Sequence, residues 1–468
     1  MIPFFPKQIA YKALFVYLIA LAFISLVYFD FSMSWGYIML GVAFVSSFFI
    51  LSSNLTKNWQ NSKESAYLGH LFIVSLGLRL IWVIASYFYY MHTTGSPFEF
   101  EAADSIGYHN EAKWLASEPW PTVWSFYFGP YSYGISDVGY PLYLTALYKL
   151  TGPSIIIPRI IKAVLSSFTC YLLYRLASRT FDERTGRMTG IMAALMPNLI
   201  IYCGYHLKET EMLFLEVAFL ERLDYLIRTK RISIVSVLLP TLLVGSLFFF
   251  RTVLGVAALF SFASTVILSS TPSLSKNGRR FALIGWSVLF LFAISNGTIA
   301  TEAEGYWEQR DDNVINKRTS QTIRGNQWAQ YATGTVMAPM AFILPYATMV
   351  NVDEQYSQQE KSGGNYVRNF MGFFALLAVY EAIRRKQWRG YITIGSFVLA
   401  YLGIVSLSGF SNSERFLLPG LPGLILLWSY GVATLREKTF KLLTPWCIVV
   451  FFMEFAWAYF KLGSRGLF

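Results

Sequence analysis

The hydrophobic residues of this chain gather into long, nearly uninterrupted stretches that short polar segments separate. A bilayer core of roughly 30 Å requires about 20 apolar residues per helix, and stretches of this kind recur along the whole chain. The runs are continuous rather than alternating, which favours membrane-spanning helices over a β-barrel. About thirteen spans are predicted, at residues 12–29, 35–53, 67–91, 155–177, 188–205, 209–227, 232–250, 252–270, 281–299, 367–384, 389–407, 415–434 and 444–461.

The composition agrees with an all-α polytopic membrane protein. Of 468 residues, 55% are hydrophobic and 14% are charged, and the mean hydropathy is +0.44, whereas soluble domains carry about a quarter charged residues. The net charge of +11 does not indicate nucleic-acid binding, because Lys and Arg form short clusters between the apolar stretches. Cys170, Cys203 and Cys447 lie far apart inside apolar stretches, so we interpret them as packing residues. The first span lacks a small-residue cleavage site and is predicted to be retained.

Charge predicts the orientation of the spans. Because basic connections favour the cytoplasm, the side that carries them is predicted to be cytoplasmic, together with the N-terminus. The opposite side then holds two long loops, at 92–139 and 300–366. Five basic clusters fall on the cytoplasmic side, in the connections at residues 179–187, 228–231, 276–280, 384–389 and 436–441.

Both outer loops have features of folded segments. The apolar segment Thr335–Val350 contains Pro339 and Pro345 and is predicted to be a re-entrant or surface hairpin rather than a span, because a span would reverse the next basic cluster. The loop 92–139 is rich in acids and aromatic residues, which predicts a folded cap at the membrane interface.

An amphipathic helix is predicted inside that cap, from Asp104 to Ser117. Ile106, Trp114 and Leu115 would form its apolar side. Asp104, Tyr108 and Glu111 would lie near one another at helical spacing.

Candidate chemistry lies at the outer ends of the spans. Asp104 is either a helix N-cap or a general base. His109, one turn later, is more often structural than functional at such a position. Arg79 lies in the middle of a span and either pairs with a neighbouring acid or has a functional role.

Three basic positions violate the positive-inside pattern at the outer ends of separate spans: Lys208, Arg251 and Arg415. Lys208-Glu209 is either a polar turn between two spans or places Lys208 to bind an anionic phosphate. Glu414-Arg415 opens a span, again on the outer side. Arg251 stands in a turn with almost no other polar residue, so an anionic partner such as phosphate is favoured. A base together with several cations at one membrane surface is typical of a transferase with a lipid phosphate donor.

These residues resemble the GT-C type glycosyltransferases, polytopic enzymes that use polyprenyl-phosphate-linked sugars and include protein O-mannosyltransferases and lipid A aminoarabinose transferases. The resemblance covers residues 67–435 and places two additional helices at 1–66 and a C-terminal helix at 436–468. Four local features carry it. The first is the Arg79 span followed by Glu101-Ala-Ala-Asp-Ser-Ile-Gly-Tyr-His109, and the second is Pro158-Arg159 with the basic turn Arg179–Arg187 and Ala193-Ala-Leu-Met-Pro197. The third is Lys208-Glu209 with Arg251, and the fourth is Ser413-Glu-Arg-Phe-Leu-Leu-Pro419.

The resemblance implies that the acidic residue of the first outer loop is the catalytic base, here Asp104. The expected reaction is an inverting transfer of a sugar, or a sugar-like group, from a polyprenyl phosphate carrier to a glycan, lipid or protein acceptor. Loop 300–366 would cover the site. No cofactor is predicted. Ser105 follows Asp104 where many relatives have a second acid, and a single carboxylate supplies few of the oxygen ligands that a divalent cation needs. The other predicted site residues are Lys208, Arg251 and Arg415 at the phosphate, with Tyr108, His109, Glu209 and Glu414 lining the pocket.

The expected location is the bacterial inner membrane, with the active site on the periplasmic face and the lipid bilayer as a partner. Two alternatives stay open at this point. One is a polysaccharide polymerase or ligase that uses diphosphate-linked glycans. The other is a lipid or sugar transporter, which would be expected to show related halves and polar groups at the midplane.

Overall fold

The computed structural model describes residues 4–129, 136–228, 234–268, 287, 340, 342–352, 355–407, 414–463 and 466–467. Within these ranges the secondary structure is helical and contains no strand, which confirms the predicted all-α polytopic class. Eight of the described helices are long and apolar enough to cross a membrane.

Short connections join most of the described helices, and the chain between Leu268 and Tyr356 lies mostly outside the described residues. The long apolar ones are Lys7–Val27, Trp35–Trp59, Glu64–Thr94, Ile156–Thr180, Ser362–Arg384, Trp388–Ser406, Glu414–Ala433 and Glu437–Gly463. The others are Ala103–Ser117, Trp120–Phe128, Gly139–Thr151, Glu183–Leu195, Pro197–Ile201, Glu209–Arg228, Ile234–Phe250, Thr252–Leu268 and Tyr356–Glu360.

Apart from a break at Pro197 in the predicted span 188–205, the predicted spans coincide with helices in the described residues. Except for residue 287, the predicted span 281–299 lies outside the described residues, as do most of loop 300–366 and the basic cluster 276–280. Residues 342–350 contain no helix, in agreement with the prediction that this segment does not span the membrane. The helix Glu209–Arg228 carries several acids, and its packing against neighbouring helices buries them.

The predicted span 188–205 is broken at Pro197. Proline has no N–H to donate to the carbonyl four residues earlier, so the helix Glu183–Leu195 ends with free carbonyls. Arg79 supplies the missing donors, to Ala193 O at 3.2 Å and to Ala194 O at 3.1 Å. Its Nε also donates to Ser166 Oγ at 2.7 Å. The expectation that Arg79 pairs with an acid is wrong: it is fully buried and satisfies the backbone of the broken helix.

The described part of the segment 92–139 contains two helices, Ala103–Ser117 and Trp120–Phe128, which we call the cap. Its first helix, Ala103–Ser117, matches the prediction. The predicted apolar side is correct only for Leu115, which is buried against Val123 and Tyr127. Ile106 and Trp114 are 41% and 49% exposed, because the buried face is formed by Ser105, Ala112 and Leu115.

The first and last helices lie side by side and complete the bundle. Phe23 contacts Phe451 and Phe455, with ring centroids 5.5 and 5.4 Å apart. Both helices also pack against Ser362–Arg384, since Tyr366 donates to Ala13 O at 2.6 Å and Trp446 to Phe370 O at 3.0 Å. This arrangement brings the end of the last helix to the outer end of the bundle.

The basic residues predicted to be cytoplasmic meet at the other end of the bundle. Arg187 donates to Trp59 O at 2.7 Å, and Arg228 donates to Gly390 O at 2.7 Å. Arg436 lies 3.6 Å from Glu381. Connections that are far apart in sequence therefore share one end of the bundle, and Asp104, Arg251 and Arg415 share the opposite end.

Candidate functional site

A cavity of about 430 Å³ lies at the outer end of the bundle. The cap, the turn after Pro197–Ile201, the residues before Ser362 and the start of the helix at Glu414 all contribute to its wall. Its charged lining residues are Glu99, Glu101, Asp104, Lys361, Glu414 and Arg415, and its aromatic ones are Phe100, Tyr202, Tyr205, Tyr346 and Trp457. Cavities of this volume are typical of small-molecule sites.

The central feature of the site is a chain of ion pairs that joins four predicted residues. Arg415 donates from Nη1 to Asp104 and from Nε to Glu209. Arg251 Nη2 lies 3.7 Å from the same Glu209 oxygen, Oε1. Asp104 and Arg251 thus belong to one network through Arg415 and Glu209, as the prediction of a common site requires.

The members of this network differ in their exposure. The Asp104 side chain is 56% exposed and that of Arg415 is 21% exposed. Glu209 is fully buried, and the Arg251 side chain is 6% exposed and stacks at 4.5 Å over the Phe416 ring. Asp104 and Arg415 therefore line the cavity, whereas Glu209 and Arg251 lie behind them.

Lys208 also lies behind the cavity wall. It is buried, and it donates to the carboxylate of Asp137 and to Phe250 O, the latter at 3.0 Å. Burial lowers the pKa of Lys208 well below its usual range, and the neighbouring Arg251 lowers it further. The position of Lys208 favours an indirect contribution, through the local positive potential, over direct contact with a ligand.

Glu414 lines the cavity but already has several partners. Its Oε1 accepts a hydrogen bond from Asn198 at 2.8 Å, and its Oε2 accepts one from Tyr202. Lys361 Nζ lies 3.4 Å from Oε2. Because Glu414 precedes Arg415, this network fixes the start of the helix that carries the cavity arginine.

Tyr108 and His109 point to different surroundings. Burial raises the pKa of Tyr108 to about 12, and Arg415 beside it partly opposes the rise. His109 contacts Tyr148 OH at 2.9 Å, and Tyr148 OH lies 3.3 Å from His206 Nε2. Burial lowers the pKa of His109. The cavity lining includes neither residue, although Tyr108 adjoins its arginine.

Lys361 is a cavity residue that the sequence analysis missed. Its Nζ lies over the rings of Tyr202 and Tyr205, at 5.6 and 5.7 Å from their centroids. Like Lys208, it is a basic residue at the outer end of a span, so the positive-inside rule contained the signal. It was missed because it falls in loop 300–366, where both charges occur.

Glu360 supports this wall from behind. Its two oxygens accept hydrogen bonds from Tyr90 at 2.5 Å and from Tyr205 at 2.9 Å. Burial raises the pKa of Glu360 to about 7, and the two tyrosine hydrogen bonds oppose the rise. Glu360 therefore holds the Tyr205 ring against which Lys361 packs.

The structure shows which groups could act on a ligand. Within the described ranges, no three His, Cys, Asp or Glu side chains are grouped so that they could hold a metal ion. The accessible charged pair is Asp104 and Arg415, a carboxylate and a guanidinium in contact at the cavity wall. In such a pair the carboxylate can accept a proton and the guanidinium can bind a phosphate.

Comparison with known proteins finds similarity of overall structure among solved structures. No family model matches the chain, and no curated protein matches its sequence. Among solved structures, the chain is similar to the crystal structure of the Archaeoglobus fulgidus oligosaccharyltransferase in complex with Zn and sulfate, with 13% sequence identity and a TM-score of 0.45. The match covers 86% of this chain and 52% of that enzyme, so the chain spans about half its length.

Proposed function

We propose that this chain is an integral membrane glycosyltransferase of the GT-C type. It would move a sugar or sugar-like group from a polyprenyl phosphate carrier to a hydroxyl of a glycan, lipid or protein on the non-cytoplasmic face. The observation that carries this proposal is the contact between the exposed carboxylate of Asp104 and Arg415 inside one cavity, at the end of the bundle away from the basic clusters.

Asp104 is the catalytic base in this proposal. It accepts the proton of the acceptor hydroxyl as the acceptor oxygen attacks the anomeric carbon. The bond from that carbon to the carrier phosphate breaks, and its electron pair leaves with the phosphate oxygen. A single displacement of this kind inverts the configuration, and it uses one carboxylate and no metal.

Arg415 and Lys361 are the cations that reach the cavity, so we assign the phosphate to them. The planar fork of Arg415 suits two phosphate oxygens, and Lys361 supplies a second positive charge. Arg251 and Lys208 lie behind this wall and add positive potential where negative charge develops on the leaving phosphate.

Binding of the phosphate would also prepare the base. Asp104 occupies one face of the Arg415 guanidinium, and it is more than half exposed. A phosphate that takes this face releases the carboxylate, which can then accept a proton. The proposal therefore predicts that donor binding precedes activation of the acceptor.

The test uses the full chain in lipid nanodiscs, with polyprenyl-linked sugars as donors in monophosphate and diphosphate forms. Asp104→Asn should abolish transfer and leave binding of the monophosphate donor intact. The matched control is Glu437→Gln, an acid-to-amide change at an exposed helix start at the basic end.

Near-normal transfer by Asp104→Asn would contradict the assignment of the base. Activity with diphosphate donors alone would instead favour a polymerase or ligase. Movement of the carrier across proteoliposomes without bond transfer would favour a transporter.

A further inference from the structure

The cavity has an aromatic wall that the proposed mechanism does not use. Trp457, in the last helix, and Tyr346, in the segment 342–352, both line it. Their ring centroids lie 5.5 Å apart at an interplanar angle of 55°. Trp457 belongs to the last helix, which lies outside the region 67–435 that carries the family resemblance, whereas Tyr346 lies within that region.

Both rings offer carbon rather than polar atoms to the cavity. Tyr346 uses its hydroxyl to donate to Met340 Sδ at 2.8 Å. Trp457 Nε1 is shielded from solvent and has no hydrogen-bond partner among the described residues. A ligand at this wall therefore meets the ring carbons of Trp457 and Tyr346.

Polar groups lie directly beside the two rings. Lys461 donates to Gln358 Oε1 at 2.5 Å and to Thr348 Oγ1 at 2.6 Å. The first bond fixes the amide of Gln358, which lines the cavity, so that its Nε2 is the group left for a ligand. The second bond ties the last helix to the segment that carries Tyr346.

An acidic group is held on the same side of the cavity. Ser357 donates to Glu101 Oε2 at 3.2 Å, and both residues line the cavity. Glu101 has a φ of 59°, a left-handed conformation that is costly for a residue with a side chain. Such conformations persist where the surrounding structure enforces them, often at ligand sites.

We infer that Trp457, Tyr346, Gln358 and Glu101 form a subsite for an uncharged sugar ring. The C–H face of a pyranose is apolar and slightly positive, and it packs on the negative face of an aromatic ring. Its ring-edge hydroxyls both donate and accept, so they suit the acceptor oxygens of Glu101 and the donor Nε2 of Gln358. This inference rests on the proposed function and identifies which part of the cavity recognises carbohydrate.

The experiment measures binding without requiring transfer. Methyl glycosides of glucose, galactose, mannose and N-acetylglucosamine are titrated against the full chain in nanodiscs, with saturation-transfer NMR as the readout. At least one glycoside should bind the wild-type protein. Trp457→Leu should weaken that binding by about tenfold, because a ring contact contributes roughly that factor.

Matched variants separate loss of the ring from loss of the fold. Trp457→Phe keeps a ring and should retain most of the binding, whereas Trp35→Leu removes a tryptophan that is 76% exposed and should have no effect. Gln358→Ala should also weaken binding of the glycoside, and it provides an independent test if Trp457→Leu does not fold. The readout is binding of the glycoside without transfer, so failure of the proposed chemistry leaves this test intact.

Two results would overturn the inference: no glycoside binds the wild-type protein, or Trp457→Leu and Gln358→Ala both bind as the wild type does. Where transfer is active, the same variants show which sugar occupies the subsite. A raised KM for the donor at constant kcat assigns the subsite to the transferred sugar. A raised KM for the acceptor assigns it to an acceptor glycan.

Discussion

Both ends of the helix bundle pair basic side chains with carboxylates, but the two ends differ in which acids are exposed. At the basic end Glu221 is fully buried and Glu381 is 2% exposed, beneath arginines that are 20–51% exposed, whereas Glu183, paired with Arg187, is exposed. At the cavity end the acid is the buried partner in the pair of Arg415 with Glu209, but in two other pairs the cation is the more buried partner. The Lys208 side chain is 2% exposed and its partner Asp137 is 58% exposed, and Arg415 and Asp104 show the same order, at 21% and 56%.

These two kinds of ion pair, with a buried acid or with a buried cation, have different consequences. A buried acid beneath exposed arginines neutralises charges that hydration already stabilises, so the pair mainly fixes helix ends and orientation. A buried cation beneath an exposed acid has a counter-ion that an anionic ligand can replace. Another anion can therefore replace Asp104 and Asp137 at the cavity end, whereas the buried Glu221 and Glu381 at the basic end are not arranged for such an exchange.

The largest expected effect comes from Arg415→Gln. Loss of the guanidinium removes the phosphate contact at the cavity wall, and transfer should fall by about 100- to 1000-fold. The initial rate at saturating donor is the measurement. Arg436→Gln, at the basic end and 51% exposed, should leave the rate unchanged. Equal losses in both variants would remove the functional distinction between the two ends.

At the basic end, Glu221→Gln should act on stability rather than on activity. Glu221 pairs with Arg179 at 3.1 Å, Arg222 at 3.1 Å and Arg175 at 3.7 Å while fully buried. We expect a loss of about 2–3 kcal/mol in the free energy of unfolding, since hydrogen bonds to charged groups are the strong ones. Thermal unfolding in detergent measures it, with transfer assayed at a temperature where the variant is folded. A reduced rate at full stability would show that the basic end takes part in catalysis.

The buried carboxyl of Glu360 should make stability depend on pH. Its pKa is raised to about 7 in the folded state from an ordinary value of 4.5, so the folded protein binds the extra proton between these values. Its contribution is fully present below pH 4.5 and is lost as pH rises toward 7, by at most about 3 kcal/mol. Glu360→Gln should reduce the pH dependence of the midpoint temperature of thermal unfolding between pH 4.5 and 7. A curve parallel to that of the wild type would exclude Glu360 as the source.

The smallest effect is expected for Asp104→Asn on stability. Because the Asp104 side chain is 56% exposed, its pair with Arg415 should contribute no more than about 1 kcal/mol. Measured under identical conditions, the losses of stability in Asp104→Asn and Glu221→Gln compare an exposed acid with a buried one. A destabilisation as large as that of Glu221→Gln would mean that the cavity acid is structural and not replaceable.

Hydropathy and charge were sufficient to predict the helix positions, because both are local properties of the chain. The predicted spans coincide with helices in the described residues, except that Pro197 breaks the predicted span 188–205. Periodicity also located the cap helix Ala103–Ser117. It misassigned the buried face at Ile106 and Trp114, because an interfacial helix has apolar side chains on more than one side.

The residues of the candidate site could be predicted only in part from hydropathy and charge. Asp104, Arg251 and Arg415 could be identified one at a time, because each is a charged residue at a position where charge is unfavourable. Their contacts could not be identified, since Arg415 reaches Asp104 across 311 residues of sequence and Glu209 across 206. For the same reason Lys361 and Trp457 had no visible role.

The positions of the helices could thus be predicted from the sequence, but the roles of the charged residues at the cavity could not. Hydropathy and the charges of each connection are properties that the chain displays residue by residue. Which partner of an ion pair is buried depends on the packing of several helices around it, as at Arg415 and Glu209. Burial decides whether a counter-ion can be replaced, and only the folded chain determines burial.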